Sequence, residues 1–133
     1  MIVCCDSNIL IYFIENPPIW GVKADARLNA LMLAGDTLAI CDAARLECTL
    51  KPRKLGNLAL IDEYAIFFSD PMVRMLAVST ATWEAAAELG GDLNLKAFDS
   101  LHLATAIEQK CDLFLTNDTK LTKCKQIAVE ILK

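Results

Sequence analysis

Four acidic residues from distant parts of the 133-residue chain could together bind a divalent cation: Asp6, Glu47, Asp99 and Asp118. Carboxylates that crowd together repel one another unless a cation neutralises them or some become protonated. A hard ion such as Mg²⁺ prefers oxygen ligands and often bridges to phosphate. It can also activate water near neutral pH and stabilise a departing oxygen. These residue types therefore suit phosphodiester hydrolysis.

Short apolar runs alternate along the chain with patterns of helical period. Strands are predicted at residues 2–5, 37–41, 72–78, 112–116 and 127–132. Helices are predicted at residues 9–15, from beyond Pro18 to 34, around Glu47, and at 55–68, 81–89 and 97–109. Strands separated by helices imply an α/β fold with a parallel sheet that is covered on both faces.

Three local signals are predicted to set helix ends. Asp42 is placed to cap the helix that carries Glu47. Lys51-Pro52 should end or bend that helix, because proline cannot donate a backbone hydrogen bond. Gly90-Gly91 should close the helix that starts after Ser79-Thr80.

The predicted topology brings the four acids to one edge of the sheet. Asp6 and Asp118 follow the first and fourth strands, and the other two acids lie near helix starts at the same edge. Ligands of open α/β sheets bind at that edge, outside the carboxyl ends of the strands. Each acid also has an ordinary explanation, as a helix cap, a solvated helix residue, a partner of a helix dipole or a turn former. Their shared location favours the functional interpretation.

Bulk properties limit the other possibilities. The length fits one domain, residues 1–133, and a composition of 55% hydrophobic residues supports a packed core. No apolar run is long enough to span a bilayer, so we expect a cytoplasmic protein with no membrane partner. The six cysteines lack a CxxC pair and are predicted to be reduced and mostly buried. The net charge of −4 does not exclude a nuclease, because a bound metal can supply the positive charge that phosphates need.

Four segments carry a resemblance to a known family. They are VCCDSNIL from residue 3, AARLE from residue 43, KAFDSLHLATA from residue 96 and FLTND from residue 114. Together they resemble PIN domains, and in size the chain is most similar to the VapC-type toxins of toxin–antitoxin pairs. The segments occur in the family's order, and the resemblance covers essentially the whole chain.

The resemblance implies a five-stranded parallel sheet of order 3-2-1-4-5 and Mg²⁺- or Mn²⁺-dependent endoribonuclease activity. It makes Asp6 and Asp99 ligands of the principal ion, with Glu47 and Asp118 holding its waters or a second ion. It also implies in-line attack that leaves a 5′-phosphate, a cognate antitoxin and a homodimer. Small polar residues beside the first and last acids would orient the carboxylates: Ser7, Asn8, Thr116 and Asn117. Asp42, where the family often has serine, is a departure: a cap or a fifth carboxyl.

The remaining polar and aromatic residues allow simpler interpretations. Several basic residues could contact RNA or could be solvated helix ends: Arg45, Lys51, Arg53, Lys54 and Lys96. His102, the single histidine, could act in acid–base catalysis, but a role in helix packing is favoured. Trp20 and Trp83 are interpreted as packing anchors rather than as platforms for base stacking.

Two other classes of protein fit the sequence less well. A catalytically silent PIN-type module that binds or regulates a partner would keep the fold without cleaving RNA, and a divalent-ion titration would distinguish it. Phosphatases of the haloacid dehalogenase type and response-regulator receivers fit poorly. The first expects Asp-x-Asp after strand 1, where the chain has Asp6-Ser7-Asn8, and the second expects an aspartate after strand 3, near Ser79.

Overall fold

The computed structural model describes all residues from 1 to 133. Five strands are present: β1 (Ile2–Cys5), β2 (Thr37–Cys41), β3 (Val73–Leu76), β4 (Leu113–Thr116) and β5 (Ala128–Ile131). Six α-helices lie between them: α1 (Ser7–Glu15), α2 (Trp20–Leu33), α3 (Ala44–Lys54), α4 (Leu58–Ser69), α5 (Thr80–Leu93) and α6 (Ala97–Glu108). A 3₁₀ turn, Thr119–Lys123, joins β4 to β5.

All strand pairs are parallel, and the sheet order is β3-β2-β1-β4-β5. Alternate residues of the central strand point to opposite faces, as the pleat requires. Val3 and Cys5 join a core shared with α1, α2 and α4, whereas Cys4 joins the core beneath α6. This confirms the predicted sheet covered on both faces, with β1 and β4 adjacent at its centre.

The helix that was predicted to stop at Gly90-Gly91 continues to Leu93 and ends at Asn94 in the left-handed conformation. This prediction was wrong because Gly90 allows a close contact between two helices and does not end its own helix. A Cβ there would lie 2.2 Å from Ser100 Oγ, so its absence lets α5 pack closely against α6. Gly91 has open space around its Cα.

Two predicted boundaries around α3 were also wrong. Lys51-Pro52 was predicted to end or bend the helix, but α3 does not end there: Pro52 lies inside it, and the helix continues to Lys54. Asp42 is not the N-cap, which is Ala43; its carboxylate instead pairs with Arg45 Nε at 3.0 Å. The next helix starts at Leu58 rather than 55, because Gly56 adopts a positive φ and Asn57 caps the Leu60 amide.

Burial confirms one side-chain prediction and corrects another. All six cysteines are free and buried. Trp20 is half-buried and stacks on Tyr12, but Trp83 is 59% exposed, so it is not a packing anchor. None of the helices combines the length and apolar character needed to cross a bilayer.

Candidate active site

Asp6 joins three elements at the centre of the sheet edge. It follows β1, its backbone amide donates to Leu115 of β4 at 2.9 Å, and it is the N-cap of α1. Its carboxylate accepts hydrogen bonds from the Ser7 amide at 2.8 Å and from Thr116 Oγ1 at 2.7 Å. Burial raises the pKa of Asp6, although these donors and His102 act in the opposite direction. The carboxylate is therefore fixed in place, and a nearby cation would favour its charged form.

Glu47 lies in the first turn of α3 and is held by two donors. Ser7 Oγ and His102 Nε2 both donate to Glu47 Oε1, at 2.7 Å and 2.5 Å. Burial by itself would raise the pKa of Glu47, but the hydrogen bonds from His102 and Ser7 outweigh it and lower the pKa. Glu47 is thus ionised near neutral pH and has a defined orientation.

Asp99 stands half-buried in the first turn of α6. Its pKa is raised, first by burial and then by the carboxylates of Asp6, Asp118 and Glu47. Four acids from separate elements therefore act on one another electrostatically. Asp118 also caps the following 3₁₀ turn, where Oδ1 accepts from the Lys120 amide at 2.9 Å.

The small polar residues form a network between α1 and the end of β4. Thr116 Oγ1 donates to Asp6 and accepts from the Asp118 amide at 3.1 Å, so it contacts both acidic residues. Asn8 Oδ1 accepts from the Asn117 amide at 3.3 Å. The Asn117 side chain donates to Tyr12 at 2.9 Å rather than to a carboxylate. Thr116 and Ser7 are therefore the residues that hold carboxylates directly.

The donor set suits a hard cation that keeps much of its water. The four acids offer only oxygen ligands, and burial together with the other three carboxylates raises the pKa of Asp99; a cation would relieve the part that is due to repulsion. No three His, Cys, Asp or Glu side chains lie close enough together to hold an ion by themselves. Mg²⁺ and Mn²⁺ sites often use one or two carboxylates with several waters, whereas a structural zinc site is tetrahedral and closed.

Basic residues are distributed unevenly around these acids. Lys96 and Lys120 line a cavity of about 180 Å³ together with Asp99. Arg45 is paired with Asp42 and lies over the Phe68 ring. The other three proposed RNA contacts are exposed in the last turn of α3, where they also complement the helix dipole: Lys51, Arg53 and Lys54.

His102 is the residue whose position the sequence did not reveal. It is fully buried on α6, as packing required, but its ring also contacts Glu47, 55 residues earlier in the chain. Burial would lower its pKa, but the Cys41 thiol and the carboxylates of Glu47 and Asp6 raise it to about 10. Its place three residues after Asp99 puts it one turn further along the same helix, but that spacing does not point to Glu47.

The chain is therefore an α/β domain with an acidic site. Its open parallel sheet has four interacting acids at the carboxyl edge. Within that class, the family model of the PIN domain matches residues 3–126. The chain belongs to the PIN domain family. A search of curated proteins gives no match.

Solved structures with the same fold include bacterial toxin–antitoxin proteins. VapBC2 from Rickettsia felis, bound to a DNA fragment from its promoter, has 21% identity over 100% of both chains and a TM-score of 0.78. A toxin–antitoxin complex from Klebsiella pneumoniae has 19% identity, 98% coverage of each chain and a TM-score of 0.77. VapC20 from Mycobacterium tuberculosis, described as a Sarcin-Ricin loop cleaving toxin, has 16% identity and a TM-score of 0.72, with 91% of this chain and 93% of that chain covered.

Proposed function

We propose that this protein is a Mg²⁺- or Mn²⁺-dependent endoribonuclease and the toxin of a VapBC-type pair. The observation that carries the proposal is the placement of four acids from separate elements at the carboxyl edge of the sheet: Asp6 and Asp118, joined through Thr116, and Glu47 and Asp99 in the first turns of α3 and α6. Burial and the other three carboxylates together raise the pKa of Asp99, which supports this placement. A PIN fold with similar VapC toxins supports the same class of activity.

The side chains have distinct roles in the proposed reaction. Asp6 and Asp99 hold the principal ion, and Glu47 and Asp118 hold its waters or a second ion. When bound, the metal supplies positive charge for the phosphate and lowers the pKa of water. Thr116 and Ser7 keep the carboxylates of Asp6 and Glu47 oriented.

Basic side chains near the acids bind the RNA substrate in this proposal. Lys96 and Lys120 stand beside Asp99, where they can neutralise RNA phosphates without specifying sequence. No side chain has to act as a nucleophile. The product expected from in-line attack by water carries a 5′-phosphate.

Cleavage of a panel of structured RNAs, including tRNAs, tests the function. Wild-type protein should cut at least one RNA with Mg²⁺ or Mn²⁺ and none with EDTA, and Asp99→Asn should be inactive. Asp25→Asn, the same change at an exposed position on α2, is the matched control and should retain activity. Full activity of Asp99→Asn would refute the assignment, and RNA binding without cleavage by wild type would favour a silent PIN-type module.

An antitoxin is the proposed protein partner. Structures of similar fold include VapBC2 and FitAB bound to DNA. Co-expression with the product of a neighbouring short open reading frame should yield a complex in which RNA cleavage is suppressed. Unchanged cleavage in a purified complex would contradict inhibition.

A second copy of the chain is the proposed partner for an apolar surface beside the acids. Leu46 and Phe98, the chain neighbours of Glu47 and Asp99, line a cavity of about 390 Å³ with Trp83. They are 54%, 37% and 59% exposed, which is costly for large apolar side chains. Trp83→Glu should convert a dimer into a monomer in light scattering; a persistent dimer would exclude this surface.

A further inference from the structure

We propose that His102 is a positioning residue for the proposed metal site, acting through the Glu47 carboxylate that its ring holds. This inference rests on the proposed function and adds a residue to it. Its basis is a partly buried contact between α6 and α3, two helices that each also carry one of the acids.

Glu47 has few other restraints. Its side chain is 29% exposed, and both donors act on the same oxygen, Oε1. His102 is fully buried, and its Nε2 also lies 3.1 Å from Ser7 Oγ. One ring thus fixes both the carboxylate and the hydroxyl that supports it, while Oε2 has no hydrogen bond within the protein and remains available.

The far side of the ring indicates that the polar contacts of this histidine lie at Nε2. Nδ1 is buried and has no hydrogen-bond partner. An unpaired buried polar atom is costly, and a residue chosen for packing alone would not carry one. The Cys41 thiol packs near the ring and donates to Thr105 at 3.4 Å. The favourable hydrogen bonds of His102 are therefore those of Nε2, with Glu47 and Ser7.

The first test measures Mn²⁺ affinity of RNA-free protein by calorimetry in two variants of matched polarity. The terminal amide of His102→Gln can reach the place of Nε2, whereas the shorter side chain of His102→Asn cannot. Loss of a residue that orients a metal ligand typically weakens metal binding by about 10–100-fold. We expect His102→Asn to lose about tenfold or more and His102→Gln to restore most of that affinity. His102→Leu repeats the test without a buried amide.

Two controls separate positioning from general stability. Thr105→Val changes a fully buried residue one turn further along α6 and should leave Mn²⁺ affinity unchanged, even if it lowers the melting temperature. In a Glu47→Ala background, His102→Asn should have no further effect on Mn²⁺ affinity. Equal losses with and without Glu47 would overturn the inference, as would wild-type affinity in both His102→Asn and His102→Leu.

The proposed function can fail separately. Wild-type protein that binds Mn²⁺ but cleaves no RNA would refute the nuclease and leave the role of His102 to the affinity data. Wild-type protein that binds no Mn²⁺ would overturn both.

Discussion

Stability of the metal-free protein should fall as the pH rises, because Cys41 and the Glu47 carboxylate raise the pKa of the buried His102 ring. The pKa of His102 is raised to about 10 from the ordinary histidine value of 6.5. A group whose pKa is raised by folding stabilises the folded protein fully at pH values below its pKa in the unfolded chain. That stabilisation is lost as the pH rises through the pKa of the folded protein. The window therefore runs from about pH 6.5 to about pH 10. Glu47, whose pKa is lowered, stays ionised throughout it.

The size of the effect follows from the two pKa values. Each unit of pKa difference corresponds to about 1.4 kcal/mol, and the stabilisation declines as the unfolded histidine deprotonates. Between about pH 6 and about pH 8.5 this linkage removes about 2 to 3 kcal/mol from the free energy of unfolding. His102 has no exposed surface, so solvent screening does not reduce this figure.

Urea denaturation in EDTA and reductant, followed by far-UV circular dichroism, measures the change. His102→Gln is the reference, because it lacks the titrating ring and carries the same six cysteines. The difference in the free energy of unfolding between wild type and His102→Gln should decrease by about 2 to 3 kcal/mol between about pH 6 and about pH 8.5. Parallel stability curves for wild type and His102→Gln across the window would refute the paired, charged histidine.

Three further predictions concern the acids, the helix contact that supports Asp99 and the basic residues. Asp99→Asn should raise the melting temperature of the EDTA-treated protein by a few degrees, because burial and three carboxylates raise the pKa of Asp99; a lower melting temperature would contradict the repulsion. Gly90→Ala should cost about 1–3 kcal/mol in urea denaturation through its contact with Ser100, whereas Gly91→Ala, in open space, should gain about 0.5–1 kcal/mol; equal effects would refute the close packing. Lys96→Ala should weaken RNA binding and reduce the slope of log affinity against log salt by about 1, and an unchanged slope would place the phosphates elsewhere.

The sequence was sufficient where local pattern decides the structure. Apolar runs such as Ile2–Cys5 and Thr37–Cys41 are buried parallel strands, as their composition predicted. The position of Asp6 at the edge of the sheet could be predicted from this strand, because Asp6 is the first polar residue after β1. The remaining acids could be placed at the same edge because strand ends share it.

The sequence was insufficient where the deciding contact is tertiary. Gly90 signals a helix end locally, but its purpose is the approach of Ser100 from another helix. The pairing of His102 with Glu47 depends on how α3 and α6 meet, which no spacing along the chain encodes. The exposure of Trp83 could not be predicted either, because helical periodicity does not show which faces remain uncovered.

The burial of every cysteine has a chemical consequence. Oxidants and alkylating agents react with thiolates that solvent can reach, and here all six sulfur atoms lie in the interior. Their modification is therefore slower in the folded protein and faster when the chain opens. Burial therefore protects the thiols of the folded protein from reagents in solution, and unfolding exposes them.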